Sequence, residues 1–419
     1  MDFVQRQKKY SAKNALDTAI ILLQQNLRNN NQDYESGLLL ARLLIWTNQL
    51  DECIEICNSI LAIKKFDYLA LHIRGIALLQ TGNIAGSVAD LIPINRINPL
   101  HGLLAWNLAI AFFYNEQFSN AWQIFSKSNS IIPNTYQKIP NWNGESLINK
   151  NVILTQYNSN GGGDDIMYAQ IIPEILEKTK TCFVETDQRS KSLYESSFDT
   201  GEVFLTGETP WEGNTKIDYQ VMVPTIAGNL RCKVKDFDQP SGYLKPNMNE
   251  RRLWEKYTND IAKTNLKVGI CWRSMISIGL TGPMSTSIEE WESVFKIPNI
   301  TFFELQYDDS CEERTRAKEL FNIDIHELEN VNLMKDFEKI AAITLSMDIV
   351  ISAVTTISLI ANSVGARVWE LRPEYTALCM SGLPWFPNRK IYSRQYQEKW
   401  RDVLNKLSRD LRNYAGKKV

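Results

Sequence analysis

The chain has 419 residues, 44% of them hydrophobic and 22% charged, with a net charge of −2. This describes an ordinary globular protein with room for about two to three domains, and it excludes a nucleic-acid binder driven by a basic surplus. The N-terminal stretch MDFVQRQKKYSAKN lacks the apolar core of a signal peptide, and the longest apolar run, Gly37–Trp46, is interrupted by Arg42 and too short to span a bilayer. Seven scattered cysteines suit free thiols in a reducing, cytoplasmic setting, with Cys53 and Cys57 one helical turn apart on a packed face. The three histidines, His72, His101 and His326, are dispersed, so no metal site is expected.

The first third repeats with a period of 34 residues: Asp33-Tyr34 recurs as Asp67-Tyr68, Ala41 aligns with Gly75 and Ala109, and Cys53 with Ser87 and Ala121. Leu91 and Phe125 fall in register, Pro99 and Pro133 close successive units, and Ala19 and Leu23 mark a preceding half unit. Small residues at fixed positions let antiparallel helices approach, while the larger ones fill the next layer. The pattern resembles the tetratricopeptide repeat over about residues 10–135. That resemblance implies an all-helical array with a concave face for a protein partner. The alternative is an array that packs only on its own neighbour.

From Pro140 the pattern changes. An apolar run at Asn151–Tyr157 leads into Gly161–Gly163, the carboxylates Asp164 and Asp165, and a helix through Met167, Ile171 and Ile172. Strand, glycine turn and helix start form a ligand-binding corner, because glycine admits close approach and first-turn N–H groups face outward. Further strands are expected at Thr181–Thr186, near Val203 and at Asp218–Val223, with a helix at Arg189–Ser197; Lys233–Asn249 reads as a linker. A second set follows: strands at Lys267–Cys271, Ile300–Gln306, Asp348–Ser352 and Arg367–Leu371, and helices at Ser287–Phe295, Cys311–Phe321, Leu333–Ser346, Thr355–Val364 and Gln397–Arg412. Alternating strands and helices predict two parallel α/β sheets with a cleft over their carboxyl ends.

Six motifs carry a family resemblance: PNWNGE (Pro140–Glu145), GGGDDIMYA (Gly161–Ala169), VGICWRS (Val268–Ser274), ITFFELQYDD (Ile300–Asp309), DIVISAVTTISLIANSVGARVW (Asp348–Trp369) and GLPWFPN (Gly382–Asn388). Together they resemble the glycosyltransferase-like half of bacterial tetratricopeptide-repeat proteins, which is similar to the heptosyltransferases and, more distantly, to O-GlcNAc transferase. The resemblance implies a fold of repeat array, 1–135, followed by two Rossmann-like domains of the GT-B type, 140–250 on the acceptor side and 251–419 on the nucleotide-sugar side. It implies an inverting, metal-independent transfer with no cofactor beyond the nucleotide sugar, and a protein or glycan acceptor brought in by the repeats.

On that resemblance Asp164 is the catalytic base, its alternative role being the N-cap of a helix from Ile166. Asp165 reads as a solvated charge at the helix start. The donor side comprises Gly162, Gly163, Arg273, Ser274, Gln306, Tyr307, Thr355 and Thr356, with Thr281-Gly282 adding donors. Arg273 either clamps phosphate bidentately or makes a structural ion pair, and Tyr307 either meets the nucleoside or packs. Thr355 and Thr356 either hold phosphate or cap their helix. Trp385 and Phe386 stack on a ligand or pack against the last helix. The chain departs from the heptosyltransferases by carrying Val354 and Leu359 where they have Asp and His. Two other readings stay open: a non-catalytic scaffold with a degenerate transferase fold, and a dinucleotide oxidoreductase with Asp187 near the ribose-binding position.

Overall fold

A computed structural model describes residues 3–417 apart from 31–32, 98–101, 129–135, 137, 157–161, 200, 239–240, 276–283 and 377–383. Helices come first: α1 (Phe3–Asn29), α2 (Tyr34–Trp46), α3 (Leu50–Ile63), α4 (Tyr68–Gln80), α5 (Ile84–Ile97), α6 (Gly102–Tyr114) and α7 (Phe118–Ser128), with no strand among the described residues of this stretch. The recurring aspartates start the repeats, Asp33 Oδ1 accepting from Ser36 N (3.1 Å) and Asp67 Oδ1 from Ala70 N (2.9 Å). Tyr34 Oη donates to Asp67 Oδ2 at 2.5 Å, tying one unit to the next. A Cβ placed on Gly75 would lie 2.8 Å from Leu91 Cγ, which explains the small residue at that position of the repeat. Pro99 and Pro133, expected to close units, lie outside the described residues.

The first sheet is built from β1 (Asn151–Thr155), α8 (Gly163–Tyr168), α9 (Ile172–Leu176), β2 (Thr181–Thr186), α10 (Lys191–Ser197), β3 (Glu202–Leu205), β4 (Tyr219–Met222) and α11 (Val223–Leu230). Its strands are parallel in the order β3-β2-β1-β4. The second is built from α12 (Met248–Ala262), β5 (Leu266–Cys271), α13 (Glu292–Phe295), β6 (Ile300–Glu304), α14 (Cys311–Phe321), β7 (Ile325–His326), α15 (Phe337–Ser346), β8 (Ile349–Ala353), α16 (Thr356–Ser363), β9 (Val368–Pro373), β10 (Lys390–Arg394) and α17 (Trp400–Ala415). It too is parallel, in the order β10-β9-β8-β5-β6-β7. That is the doubly wound arrangement, whose strand order reverses between β5 and β8. Every residue of β8 is buried, as expected for a central strand covered on both faces.

Some elements differ from the sequence expectation. The stretch 233–249 is no bare linker: Phe237 and Leu244 are buried in it, and Gly242 crosses Gly365 where both chains have positive φ. A Cβ on Gly365 would lie 3.4 Å from Gly242 N, so the two backbones pass in contact. Trp385 is buried, but not against the last helix. Its ring meets Trp122 of the array (6.4 Å between centroids), Tyr168 of α8 (5.5 Å) and Phe237 (5.0 Å). Three parts of the chain thus close on one indole. The array also docks by the turns inside its repeats. Leu50 N donates to Tyr396 Oη (3.1 Å), Thr376 N donates to Tyr114 Oη (3.2 Å), and Gly82 lies beneath the Tyr375 ring.

Candidate active site

The corner after β1 begins α8 at Gly163, earlier than Ile166, so the N-cap is Gly162 in the left-handed region (φ 68°) and Asp164 is not a cap. Asp164 sits in the first turn, half-buried, where burial pushes its carboxyl up to about 6. Asp165 is not solvated, with only 8% of its surface exposed. Its Oδ1 meets no hydrogen-bonding partner among the described residues. Burial first, then the neighbouring carboxylates Asp164, Asp187 and Glu185, push it up to about 8, and Arg189 opposes them. Asp164 is part of the local motif, but Glu185, Asp187 and Arg189 come from β2 and the turn after it, 20 or more residues further on, and so are invisible in it.

Arg189 is the residue the motif did not announce. Its guanidinium donates to Asp187 Oδ2 (2.6 Å) and lies over the Phe337 ring of the second unit (5.1 Å). A Cβ on Gly162 would come within 2.7 Å of its Nη2 and displace the guanidinium, and the positive φ of 68° favours glycine there in any case. The only sequence signal for it is an Asp-x-Arg at the end of a strand. Asp187 is engaged in this ion pair and in N–H bonds from Arg189 and Ser190, which occupies the carboxylate that the dinucleotide reading needed.

On the other side, the ends of β5, β6 and β8 gather the expected donor residues at the point where strand order reverses. Gln306 Oε1 accepts from Arg273 N (3.3 Å) and from Cys271 Sγ (3.6 Å), and that sulfur lies 3.8 Å from Thr355 Oγ1. Burial pushes the Cys271 thiol up to about 12, so it remains a neutral link. Tyr307 Oη accepts from Met275 N (2.9 Å) and lies 3.5 Å from Ser274 Oγ. Thr355 caps α16 in a capping box with Ser358. The Arg273 guanidinium is held by Glu313 (2.6 Å at both Nε and Nη2) and Asp308 (2.5 Å). Burial works against its charge, and these two acids outweigh that, keeping it firmly protonated. This is the geometry of the structural ion pair. Thr281 and Gly282 lie outside the described residues.

The two corners face each other. A Cβ on Gly163 would lie 3.0 Å from Leu359 Cδ1 and 3.4 Å from Thr356 Oγ1. Leu359 therefore fills, with an apolar side chain, the ground between the acid corner and the start of α16. Ser196 Oγ and Asn247 N both donate to Glu338 Oε1 (2.7 and 2.9 Å), and Leu244 N donates to Ser363 O, fastening the units alongside. Among the described residues no group of three or more His, Cys, Asp and Glu could hold a metal ion. The triplet Asp236-Phe237-Asp238 is no exception, since Asp236 Oδ2 accepts from Cys232 N and Lys233 N at 3.0 Å as a local cap. No described helix is long and apolar enough to cross a membrane.

Asp165 gives a direct check on this electrostatic picture. Its native value near 8 lies above the ordinary aspartate value, so the folded state holds an extra proton between about pH 4 and 8 and stability falls as pH rises through that window. Asp165→Asn removes the effect. The variant is expected to match the wild type near pH 4 and to exceed it by a few kcal/mol at pH 8, measured by urea unfolding. A gap that does not change with pH contradicts the assignment.

No protein-family model matches the sequence. The chain is 24% identical over 369 residues to Protein FlbA of Caulobacter vibrioides, covering 83% of this chain and spanning 61% of FlbA. Among solved structures it is similar to MamA (18% identity, TM-score 0.28, 31% of this chain and 71% of that one). It is also similar to the E. coli ADP-heptose lipopolysaccharide heptosyltransferase II (10% identity, TM-score 0.45, 63% of this chain and 99% of that one). The helical repeats come first and two doubly wound parallel units follow, their strand-end corners apposed. The chain is a helical array with a 34-residue repeat joined to two doubly wound, Rossmann-like parallel α/β units.

Proposed function

We propose that the chain is an inverting, metal-independent glycosyltransferase that moves a sugar from a nucleotide-sugar donor to a protein or glycan acceptor brought in by the repeats. The observation that carries this reading is Asp164: a carboxyl raised to about 6, in the first turn of α8, next to the glycine that meets Thr356 of the other unit. Asp164 takes the proton of the acceptor hydroxyl as its oxygen attacks the anomeric carbon. The bond from that carbon to the phosphate oxygen breaks on the opposite face, and its electron pair leaves with the nucleoside diphosphate. Thr355, Thr356 and the first N–H groups of α16 meet that charge, with Arg189 as the nearby cation in place of the engaged Arg273. Because Leu359 fills the gap, the units part to admit the donor, a hinge motion of the kind common to two-domain enzymes. The exposed Leu39, Trp46, Tyr68 and Leu103 leave apolar surface on the array for a partner.

A second reading, a non-catalytic repeat scaffold, draws support from the same Leu359 contact and from the Arg273 ion pairs. Incubation with a panel of uridine-, guanosine-, adenosine- and cytidine-linked sugars separates the two. The enzyme reading expects release of the nucleotide from at least one donor at a rate that EDTA leaves unchanged. Release abolished by EDTA and restored by manganese contradicts metal independence, and no release from any donor leaves the scaffold.

A further inference from the structure

A cavity of about 400 Å³ opens where the last repeat helix meets the first α/β unit. Trp122 and Gln123 line it from α7, Trp142 and Asn143 from the segment before β1, and Thr225 and Asn229 from α11. None of its lining residues is ionisable, so nothing there recognises a phosphate, a carboxylate or an ammonium group. Both indoles are fixed by their ring nitrogens. Trp122 Nε1 donates to Arg231 O (2.8 Å) and Trp142 Nε1 to Glu145 O (2.7 Å), so both N–H groups are engaged; Trp122 is almost fully buried, and the ring surface offered to a ligand is that of the half-buried Trp142. A Cβ on Gly228 would lie 3.2 Å from Trp122 Cβ, so glycine there lets α11 close on the indole. At the rim, a Cβ on Gly144 would meet nothing within 4 Å.

We propose that this cavity binds a neutral saccharide unit. Amide side chains offer donor and acceptor together, as the vicinal hydroxyls of a sugar require, and aromatic surface suits the C–H face of a pyranose. The volume falls in the range of small-molecule sites. An apolar peptide anchor finds too many amides here, and a charged one finds no counter-ion. The site lies toward the acid corner, because Pro224 on its wall follows Val223, which borders the small cavity beside Asp165. A glycan held here therefore stands on the acceptor side, although binding itself requires no transfer.

The test is saturation-transfer NMR and calorimetry on the full chain with glucose, galactose, mannose and N-acetylglucosamine as probes. At least one is expected to bind with a Kd of about 1 mM, the range for a ligand of about a dozen non-hydrogen atoms. Trp142→Ala and, separately, the exposed Asn229→Ala should weaken it by about tenfold, the second with an unchanged melting temperature. No saturation transfer from any of the four at about fifty times that concentration overturns the proposal, as does binding undiminished in both variants. Sugar binding without nucleotide-sugar turnover keeps this site and removes the transferase reading; turnover without it does the reverse.

Discussion

Asp164→Asn is expected to lower turnover by about 10²–10⁴-fold while leaving the fold intact, the usual contribution of a general base. The amide keeps the side chain's size and cannot take up the acceptor's proton. Stability should hold or rise slightly, because Gly162 and not Asp164 caps α8 and the half-buried carboxylate is costly to ionise. In the wild type, kcat/KM should climb about tenfold per pH unit up to about 6 and then level, since only the ionised base acts. Asp165 titrates beside it, so the profile belongs to the coupled pair. A fully active Asp164→Asn with the same profile would place the base elsewhere.

Trp385→Ala should be the most damaging substitution for stability, at about 3–5 kcal/mol. The indole is fully buried and is the point where array, first unit and second unit meet through Trp122, Tyr168, Phe237 and itself. Gln170 Nε2 donates to the Trp385 carbonyl at 2.7 Å, so the backbone there is held as well. Deleting the ring leaves a cavity that none of the three parts can collapse into without moving the other two. Urea unfolding should show a lowered midpoint and an array that melts apart from the α/β units. A loss below about 1 kcal/mol would mean that the three parts are joined chiefly by the repeat turns.

Local patterns made much of this architecture legible. Asp33 and Asp67 recur because each caps a helix, and Gly75 recurs as a small residue because Leu91 packs where its side chain would be. Cys311–Phe321 was readable as a helix with its final bounds. Two helices were not: α11 starts at once from the end of β4 with Pro224 in its first turn, and α12 is so polar that Trp254, Thr258 and Ala262, its buried stripe, hardly stand out. The edge strand β10 has only one buried residue, Tyr392. At the site, residue types were legible and partners were not. Asp165 is pushed up by burial and also by acids carried on β2 and the turn after it, Arg273 is claimed by Glu313 from 40 residues on, and Leu359 gains its meaning only from contact with Gly163.

The central claim is that the acid corner at 162–168 and the start of α16 at 355–363 form one nucleotide site. Amide hydrogen exchange on the full chain, with and without UDP, ADP, GDP or CDP, tests it most directly. A nucleotide at about 100 times its Kd should slow exchange by about 100-fold in amides that open only in the free state. The account predicts that at least one nucleotide protects both segments together. Protection confined to other parts of the chain, or none from any of the four, contradicts it.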